Sequence, residues 1–291
     1  MRVHVLRSPR AGGRRSRASA RQVLETLGHA GHELIDLTGD SPRSSRENLR
    51  LAIEGGKTDL VLVAGGDGLV HLAIQELARS TVPLALAPSG TGNDFASALG
   101  ITAIDLDTIT ATAQSVDLMR IHGEDGFEHW VGSIAIAGFP AAINARANRL
   151  HLPLGAQIYT VAAALELPRF RRTLISLRID GHRIETDSAM LAIGNTSLFG
   201  GGMLACPDAL PTDGLLHLTS IQDVGRVGIL RHLLGRAGGT ADRPEVLRRT
   251  ATRIDLDSVG IDVWGDGEPI GTGPLSFTIE PGALQVVGST V

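Results

Sequence analysis

Two textures of apolar pattern divide the chain. In the first third, short continuous apolar runs bounded by turn residues alternate with stretches whose apolar residues recur at helical spacing. Residues 3–6, 33–38, 59–64 and 83–87 are the runs, and such runs predict strands covered on both faces, as in a parallel sheet. Val23, Leu24 and Leu27 follow the first run, residues 44–54 the second, Val70, Ala73, Ile74 and Leu77 the third, and Phe95, Ala96 and Leu99 the fourth, each set marking one helix face. The order is therefore βαβαβαβα. It predicts a doubly wound parallel sheet with helices on both faces, whose ligands meet the carboxyl edge of the strands.

Beyond about residue 115 the pattern changes to short strands separated by turns. Residues 115–121 and 127–137 pair across the polar stretch 122–126, and residues 174–179 and 183–186 flank Asp180-Gly181-His182 as a hairpin. Further strands are expected at 189–194, 215–221, 253–256, 261–264 and 275–279. Helical stretches are expected at 141–150, 156–167 and 224–234, and an exposed loop at 237–244. The stretch 156–167 is apolar nearly all round, which suits either the core or a lipid-binding surface; the core is favoured because apolar helices usually serve packing. The expected class is α/β, with an N-terminal doubly wound parallel-sheet nucleotide domain over residues 1–114 and a β-rich, sandwich-like domain over 115–283. The tail 284–291 is free to return to the first domain.

Candidate chemistry lies at the ends of the third and fourth strands. Gly65-Gly66-Asp67-Gly68 and Pro88-Ser89-Gly90-Thr91-Gly92-Asn93-Asp94 each follow a buried-type run and precede a helix. Glycine lets the chain turn with no Cβ in the way and lets phosphate oxygens approach backbone N–H groups, which a helix start also presents. Asp67, Thr91, Asn93 and Asp94 add polar groups that a purely structural turn has no need of. Asn93 and Asp94 also suit a plain helix N-cap, and the two roles can coexist. A third loop, residues 8–16, holds Arg10, Arg14 and Arg15 beside Gly12 and Gly13, with Arg17 just beyond; these arginines suit either phosphate neutralisation or a solvated basic face.

Composition narrows the classes. A chain of 291 residues that is 43% hydrophobic can bury a full core, and its net charge of −4 gives no footprint for nucleic acid. Cys206 is the single cysteine, so neither an internal disulfide nor a cysteine metal cluster can form, and a reducing cytoplasmic setting fits. No apolar stretch reaches the roughly 18 residues of a membrane span, so any membrane contact is expected to be peripheral. Oligomeric state stays open, a homodimer included.

With these segments in place the chain resembles the diacylglycerol kinase catalytic family, in particular soluble bacterial lipid kinases that are also similar to sphingosine and ceramide kinases. The resemblance rests on the two glycine turns, on Gly194-Asn195 with Gly200-Gly201-Gly202-Met203 and Pro207-Asp208-Ala209, on Asp213-Gly214-Leu215-Leu216, and on Asp266-Gly267-Glu268. It implies a nucleotide domain, a β-rich domain and an active site in a cleft between them. It further implies ATP and Mg2+ as cofactors and a lipid acceptor, diacylglycerol first and a sphingoid-like lipid second, met at the membrane surface. By the same resemblance the ATP site comprises Thr38, Gly65, Gly66, Asp67, Gly68, Leu69, Val70, His71, Gly90, Thr91, Asn93 and Asp94. Asp67 holds Mg2+, and Glu268 is the general base with Asp67 as its competitor. A second, structural Mg2+ is implied at Asp213 with the carbonyls of Leu210 and Leu215. Read without the resemblance, Glu268 is an exposed hairpin-tip residue and Asp213-Gly214 an ordinary turn.

Several positions depart from the family pattern: Leu69, His71 and Leu72 after the first turn, Pro140 in Gly138-Phe139-Pro140-Ala141, His217 after the DGLL run, and Ser8-Pro9 in place of Asn-Pro. Leu69 and His71 match sphingosine-kinase-like members; Leu72 matches neither version. Two other classes stay in view: an NAD kinase or phosphofructokinase-like small-molecule kinase, which also uses GGDG, and a nucleotide- or lipid-binding protein without catalysis.

Overall fold

The computed structural model describes residues 1–8, 14–123, 125–150, 157–229 and 243–288, with the side chains of 14–20 excepted. Arg10, the side chains of Arg14, Arg15 and Arg17, the end of the expected helix 224–234 and most of the loop 237–244 lie outside the described residues. The chain folds as two compact units, Met1–Leu118 with Pro281–Val291, and Met119–Glu280.

In the first unit the expected alternation is realised as β1 (Arg2–Arg7), α1 (Arg14–His29), β2 (Glu33–Asp36), α2 (Pro42–Glu54), β3 (Leu60–Gly65), α3 (Asp67–Leu77), β4 (Leu84–Pro88) and α4 (Asp94–Ala98), and a short further helix, α5 (Leu106–Thr110), follows outside the expected pattern. The strands run parallel in the order β4-β3-β1-β2. Beyond β4, Val286 pairs in parallel with Leu84, and Val287 N donates to Leu84 O at 3.0 Å. Alternation decides the faces. Val3, Val5, Leu60, Leu62, Ala85 and Ala87 share a core with Leu27 of α1 and Ile109 of α5. Val61, Val63, Leu84 and Leu86 point the other way and are also buried, as are Leu49 of α2 and Ala73, Ile74 and Leu77 of α3. Strands dry on both sides have no use for polar residues, which is why they read as unbroken apolar runs. The start of α2 is made locally by a capping box: Ser44 N donates to Ser41 Oγ and Ser41 N to Ser44 Oγ, with Pro42 just inside the helix.

The second unit is built from β5 (Gln114–His122), which begins in the first unit, β6 (Glu128–Val131), β7 (Ile134–Gly138), α6 (Phe139–Arg149), α7 (Gln157–Glu166), β8 (Thr173–Ile179), β9 (His182–Gly194), the short hairpin β10 (Leu198–Phe199) and β11 (Met203–Leu204), β12 (Leu216–Gln222), β13 (Val246–Ala251), β14 (Arg253–Leu256), β15 (Asp262–Gly265), β16 (Glu268–Thr272) and β17 (Leu275–Val286). β9 organises the sandwich. Its first half pairs antiparallel with β8, and its second half lies between β7 and β12. Ile175, Leu177, Ala135, Leu191, Leu218 and Phe277 fill the core so enclosed. The outer face of β7 and β9 carries a second cluster, Ile136, Met190 and Ala192, under Phe139 and Ile143 of α6.

Where β9 changes partners the ladder is irregular: Ile221 faces Met190 but Gln222 faces Ser188. Buried hydroxyls fill the gap. Ser188 Oγ donates to Met190 O at 2.6 Å and lies 2.9 Å from Ser220 Oγ, which lies 3.2 Å from Thr186 Oγ1; Gln222 Nε2 donates to Thr186 Oγ1 at 2.7 Å.

Several expectations change in this unit, and the strands expected separately at 183–186 and 189–194 are one strand, β9. Residues 127–137 are not one strand, because Gly132-Ser133 breaks the run into β6 and β7. β13 was not anticipated, since Arg248, Arg249 and Thr250 give it no apolar run. The helix expected in the core at 156–167 is α7; Ala162 alone of it is fully buried, Ile158 and Ala163 pack half-buried against the cluster under α6, and Tyr159, Thr160, Ala164 and Leu165 are exposed.

Ser220→Ala is expected to lower stability by about 1–2 kcal/mol, because partner hydroxyls are left buried. The Ser188→Ala and Ser220→Ala double variant should lose less than the sum of the two single losses. Urea midpoints of the three proteins check both points.

Candidate active site

The two glycine turns of the first unit are interlocked. A Cβ on Gly90 would stand 2.5 Å from Gly66 Cα, and one on Gly66 would stand 2.9 Å from Gly90 Cα. No side chain fits at either position. Across this contact Asn93 N donates to Asp67 Oδ2 at 2.7 Å, and at the strand ends Ser89 N donates to Gly65 O at 2.9 Å. Asn93 has φ of 58°, a left-handed conformation that asparagine tolerates better than most residues. Its side chain does not cap α4. It closes the second turn instead, with Oδ1 accepting from Gly90 N at 2.9 Å and Nδ2 donating to Gly90 O at 3.0 Å. Gly66 is the N-cap of α3 and offers no side-chain cap, so the helix start is left to backbone groups. Asp67, at that start, is half-buried, favourably placed against the helix dipole, and presents a hard carboxylate oxygen.

Gly65, Gly66, Asp67, Gly68 and Leu69 form the turn and first helical residues, Thr91 is exposed, and Asn93 and Asp94 are half-buried. Val70 and His71 are buried at 6% and 5% exposure, under the same helix. Thr38 lies just past β2, where its Oγ1 accepts from Arg7 N at 3.0 Å and its N–H donates to Asp36 Oδ1 at 3.0 Å. Burial alone would raise the Asp36 pKa; hydrogen bonds from Thr38 and Arg7 outweigh it and hold the carboxyl below its usual value.

In the second unit Glu268 opens β16 and is exposed. The turn before it, Asp266-Gly267, has positive φ at both residues, the form a two-residue hairpin requires. Asp266 anchors that turn: its Oδ2 accepts from Gly132 N and its Oδ1 from Ser133 N, both at 2.9 Å. The same Gly132-Ser133 corner receives Asn195, whose Nδ2 donates to Gly132 O at 2.8 Å and whose N–H donates to Ser133 O at 2.8 Å. Two motif segments remote in sequence are thus tied to one corner. A Gly-Ser pair interrupting an apolar run is the one sign of that corner in the sequence.

Around Asp213 the arrangement is closed on itself. The carboxylate accepts from Leu210 N at 3.3 Å, Leu215 N at 2.9 Å and His217 Nε2 at 2.9 Å, while Leu210 O accepts from Asp213 N. Three of its roughly four lone-pair directions are engaged. The carboxylate expected to hold Mg2+ with the carbonyls of Leu210 and Leu215 is thus engaged by two backbone N–H groups and an imidazole. Among the described residues no cluster of three or more His, Cys, Asp or Glu side chains could hold a metal. Nearby, burial pushes the Cys206 thiol up to about 12, which removes it as a nucleophile.

Residues 2–123 match the diacylglycerol kinase catalytic domain, and residues 133–288 match the YegS C-terminal NAD kinase beta sandwich-like domain. A diacylglycerol kinase of Mycobacterium tuberculosis is 34% identical over 98% of this chain and 94% of its own length. A probable lipid kinase YegS-like of Pseudomonas fluorescens is 33% identical over 91% of the chain and 89% of its own. The chain belongs to the diacylglycerol kinase family. The crystal structure of a diacylglycerol kinase from Bacillus anthracis shares the fold, with a TM-score of 0.72 at 18% identity, covering 98% of this chain and 96% of that one.

As a lipid kinase of the diacylglycerol kinase family, the protein takes its phosphoryl group from ATP. Among the described residues no helix is long and apolar enough to cross a membrane. Pro140, one of the departures from the family pattern, lies in the first turn of α6, where a missing N–H costs nothing.

Gly90→Ala is expected to lower stability by about 1–3 kcal/mol and to weaken ATP binding, since Gly66 backbone must move. Gly28→Ala, with open space around it in α1, serves as the neutral control. Thermal unfolding with and without ATP reads both. Asp266→Ala is expected to lower stability by about 1–3 kcal/mol, because the N–H groups of Gly132 and Ser133 lose a charged acceptor; thermal unfolding tests it.

Proposed function

We propose that the protein phosphorylates the free hydroxyl of diacylglycerol, with a sphingoid-like long-chain alcohol as second choice, using ATP and Mg2+. The observation that carries this reading is the Asp67 to Asn93 hydrogen bond, which joins the two glycine turns into one rigid edge beside the start of α3. The Mycobacterium tuberculosis relative named diacylglycerol kinase supports the acceptor class.

In this reading the backbone of Gly65, Gly66, Gly68 and Gly90 takes the phosphates, with Thr38, Leu69, Val70, His71, Thr91, Asn93 and Asp94 completing the nucleotide site. Glycines permit the close approach, and the first N–H groups of α3 meet negative charge. The Asp67 carboxylate fits Mg2+, which needs oxygen donors and supplies charge neutralisation when bound with the phosphates. Glu268 accepts the proton of the lipid hydroxyl as its oxygen bonds to the γ-phosphorus. The bond from that phosphorus to the bridging oxygen breaks, and its electron pair departs with ADP. Catalysis is then mostly positioning, and the Asp266 anchor is part of it.

Transfer of labelled phosphate from ATP to diacylglycerol, sphingosine, ceramide, NAD and a sugar phosphate tests the acceptor. Label in diacylglycerol is expected; label in NAD or the sugar alone would refute the reading. Asp67→Ala and Glu268→Ala should each reduce kcat by about a hundredfold or more with the fold intact. Glu268→Gln should lower kcat about as far as Glu268→Ala does, and wild-type kcat in it would transfer the base role to Asp67.

A further inference from the structure

α7 has little charge to hold it in water. Its ten residues include a single charged side chain, Glu166, and that one is engaged by Arg146 of α6. Only Ala162 is buried, while Thr160, Ala164 and Leu165 lie exposed along one line of the helix, with Val161 half-exposed beside them. A solvated helix normally turns charged residues outward; here the exposed residues are Gln157, Tyr159, Thr160, Ala164 and Leu165, none of them charged, and their apolar share suits a cover.

The apolar surface continues past the helix. Among the described residues eight large hydrophobics are exposed, and four of them are Tyr159 at 36%, Leu165 at 46%, Leu174 at 65% and Val227 at 73%. Hydrogen bonds join their segments: Arg169 Nη1 donates to Leu165 O at 3.2 Å, Arg226 Nη2 donates to Pro168 O at 2.9 Å, and Arg172 bridges to Asp187, the strand partner of Leu174, and to Asp223. Arginines are interleaved with the apolar residues. Arg146, Arg169, Arg171, Arg172 and Arg226 face Glu166, Asp187 and Asp223, a surplus of two positive charges on a chain whose net charge is −4.

We propose that this face, α7 with Leu174 and Val227, docks on the surface of an anionic lipid bilayer. The inference rests on the reading that the acceptor is a membrane-resident lipid, and it adds where the enzyme meets the membrane. Charge complementarity selects this occupant: aliphatic side chains enter the acyl boundary while arginine stems reach the headgroup phosphates. An acidic protein gains no attraction to such a surface from its overall charge, so a local basic and apolar patch must supply it.

Co-sedimentation with vesicles of phosphatidylcholine alone, and of phosphatidylcholine with phosphatidylglycerol at about three to one, tests the proposal in the full chain. Wild type is expected to sediment with the anionic vesicles and much less with the neutral ones. Arg169→Gln with Arg171→Gln should weaken binding by about thirtyfold, and Leu165→Asp with Val227→Asp should abolish it. Both double variants should keep wild-type melting temperature and wild-type turnover of a dispersed short-chain diacylglycerol. Undiminished binding by either variant, equal binding to both vesicles, or a wild-type dimer dissociated by Leu165→Asp would each overturn the proposal, the last by assigning the face to a second copy. Turnover of the short-chain lipid without vesicle binding would overturn the docking face and leave the kinase reading standing. Vesicle binding with no lipid phosphorylated would do the reverse.

Discussion

Two backbones in contact, Gly66 against Gly90, set the terms for the first unit. With less than 3 Å between either Cα and a Cβ placed on the other residue, the ends of β3 and β4 can approach only if both positions lack side chains. The approach lets Asn93 N reach the Asp67 carboxylate, which in turn holds the start of α3 beside the second loop. The parallel register of β3 and β4, with Gly65 opposite Pro88, delivers both turns to the same edge. Sheet, turns and carboxylate therefore form one arrangement in which position follows from close packing, not from a network of long side chains.

In the first unit, sequence and structure agree because the governing physics is local. Runs such as Leu60-Val61-Leu62-Val63 are apolar at every position and belong to a strand buried on both faces; Val70, Ala73, Ile74 and Leu77 lie on one side of a helix. The roles of Asn93 and Asp266 were less legible. Each was visible as a polar residue in a turn, but what it holds, its own loop in one case and the Gly132-Ser133 corner in the other, depends on partners that no spacing rule supplies. The corner itself was hidden within an apolar stretch read as a single strand. α7 was misjudged for a related reason: apolar periodicity reports that a helix needs covering, and it does not say whether protein or something else provides the cover.

The second unit shows how a sandwich places chemistry on turns. β9 pairs with β8 over its first half and with β7 and β12 over its second, so the strands that flank it are held from the same element, and the Asp266 turn is tied to the corner at the head of β7. Glu268 sits two residues beyond that anchor. His217, at the start of β12, closes the Asp213 turn with an imidazole. Polar ties of this kind, each with donor and acceptor matched, stiffen loops that have little apolar surface to bury.

The first unit is discontinuous: Pro281–Val291 joins it only after the whole β-rich unit has been traversed. During vectorial synthesis the outer edge of β4 waits, unpaired, until the segment that carries Val286 leaves the ribosome. An open parallel edge is a template for wrong partners, so a nascent chain of this design has reason to complete its β-rich portion early and leave the nucleotide portion for last.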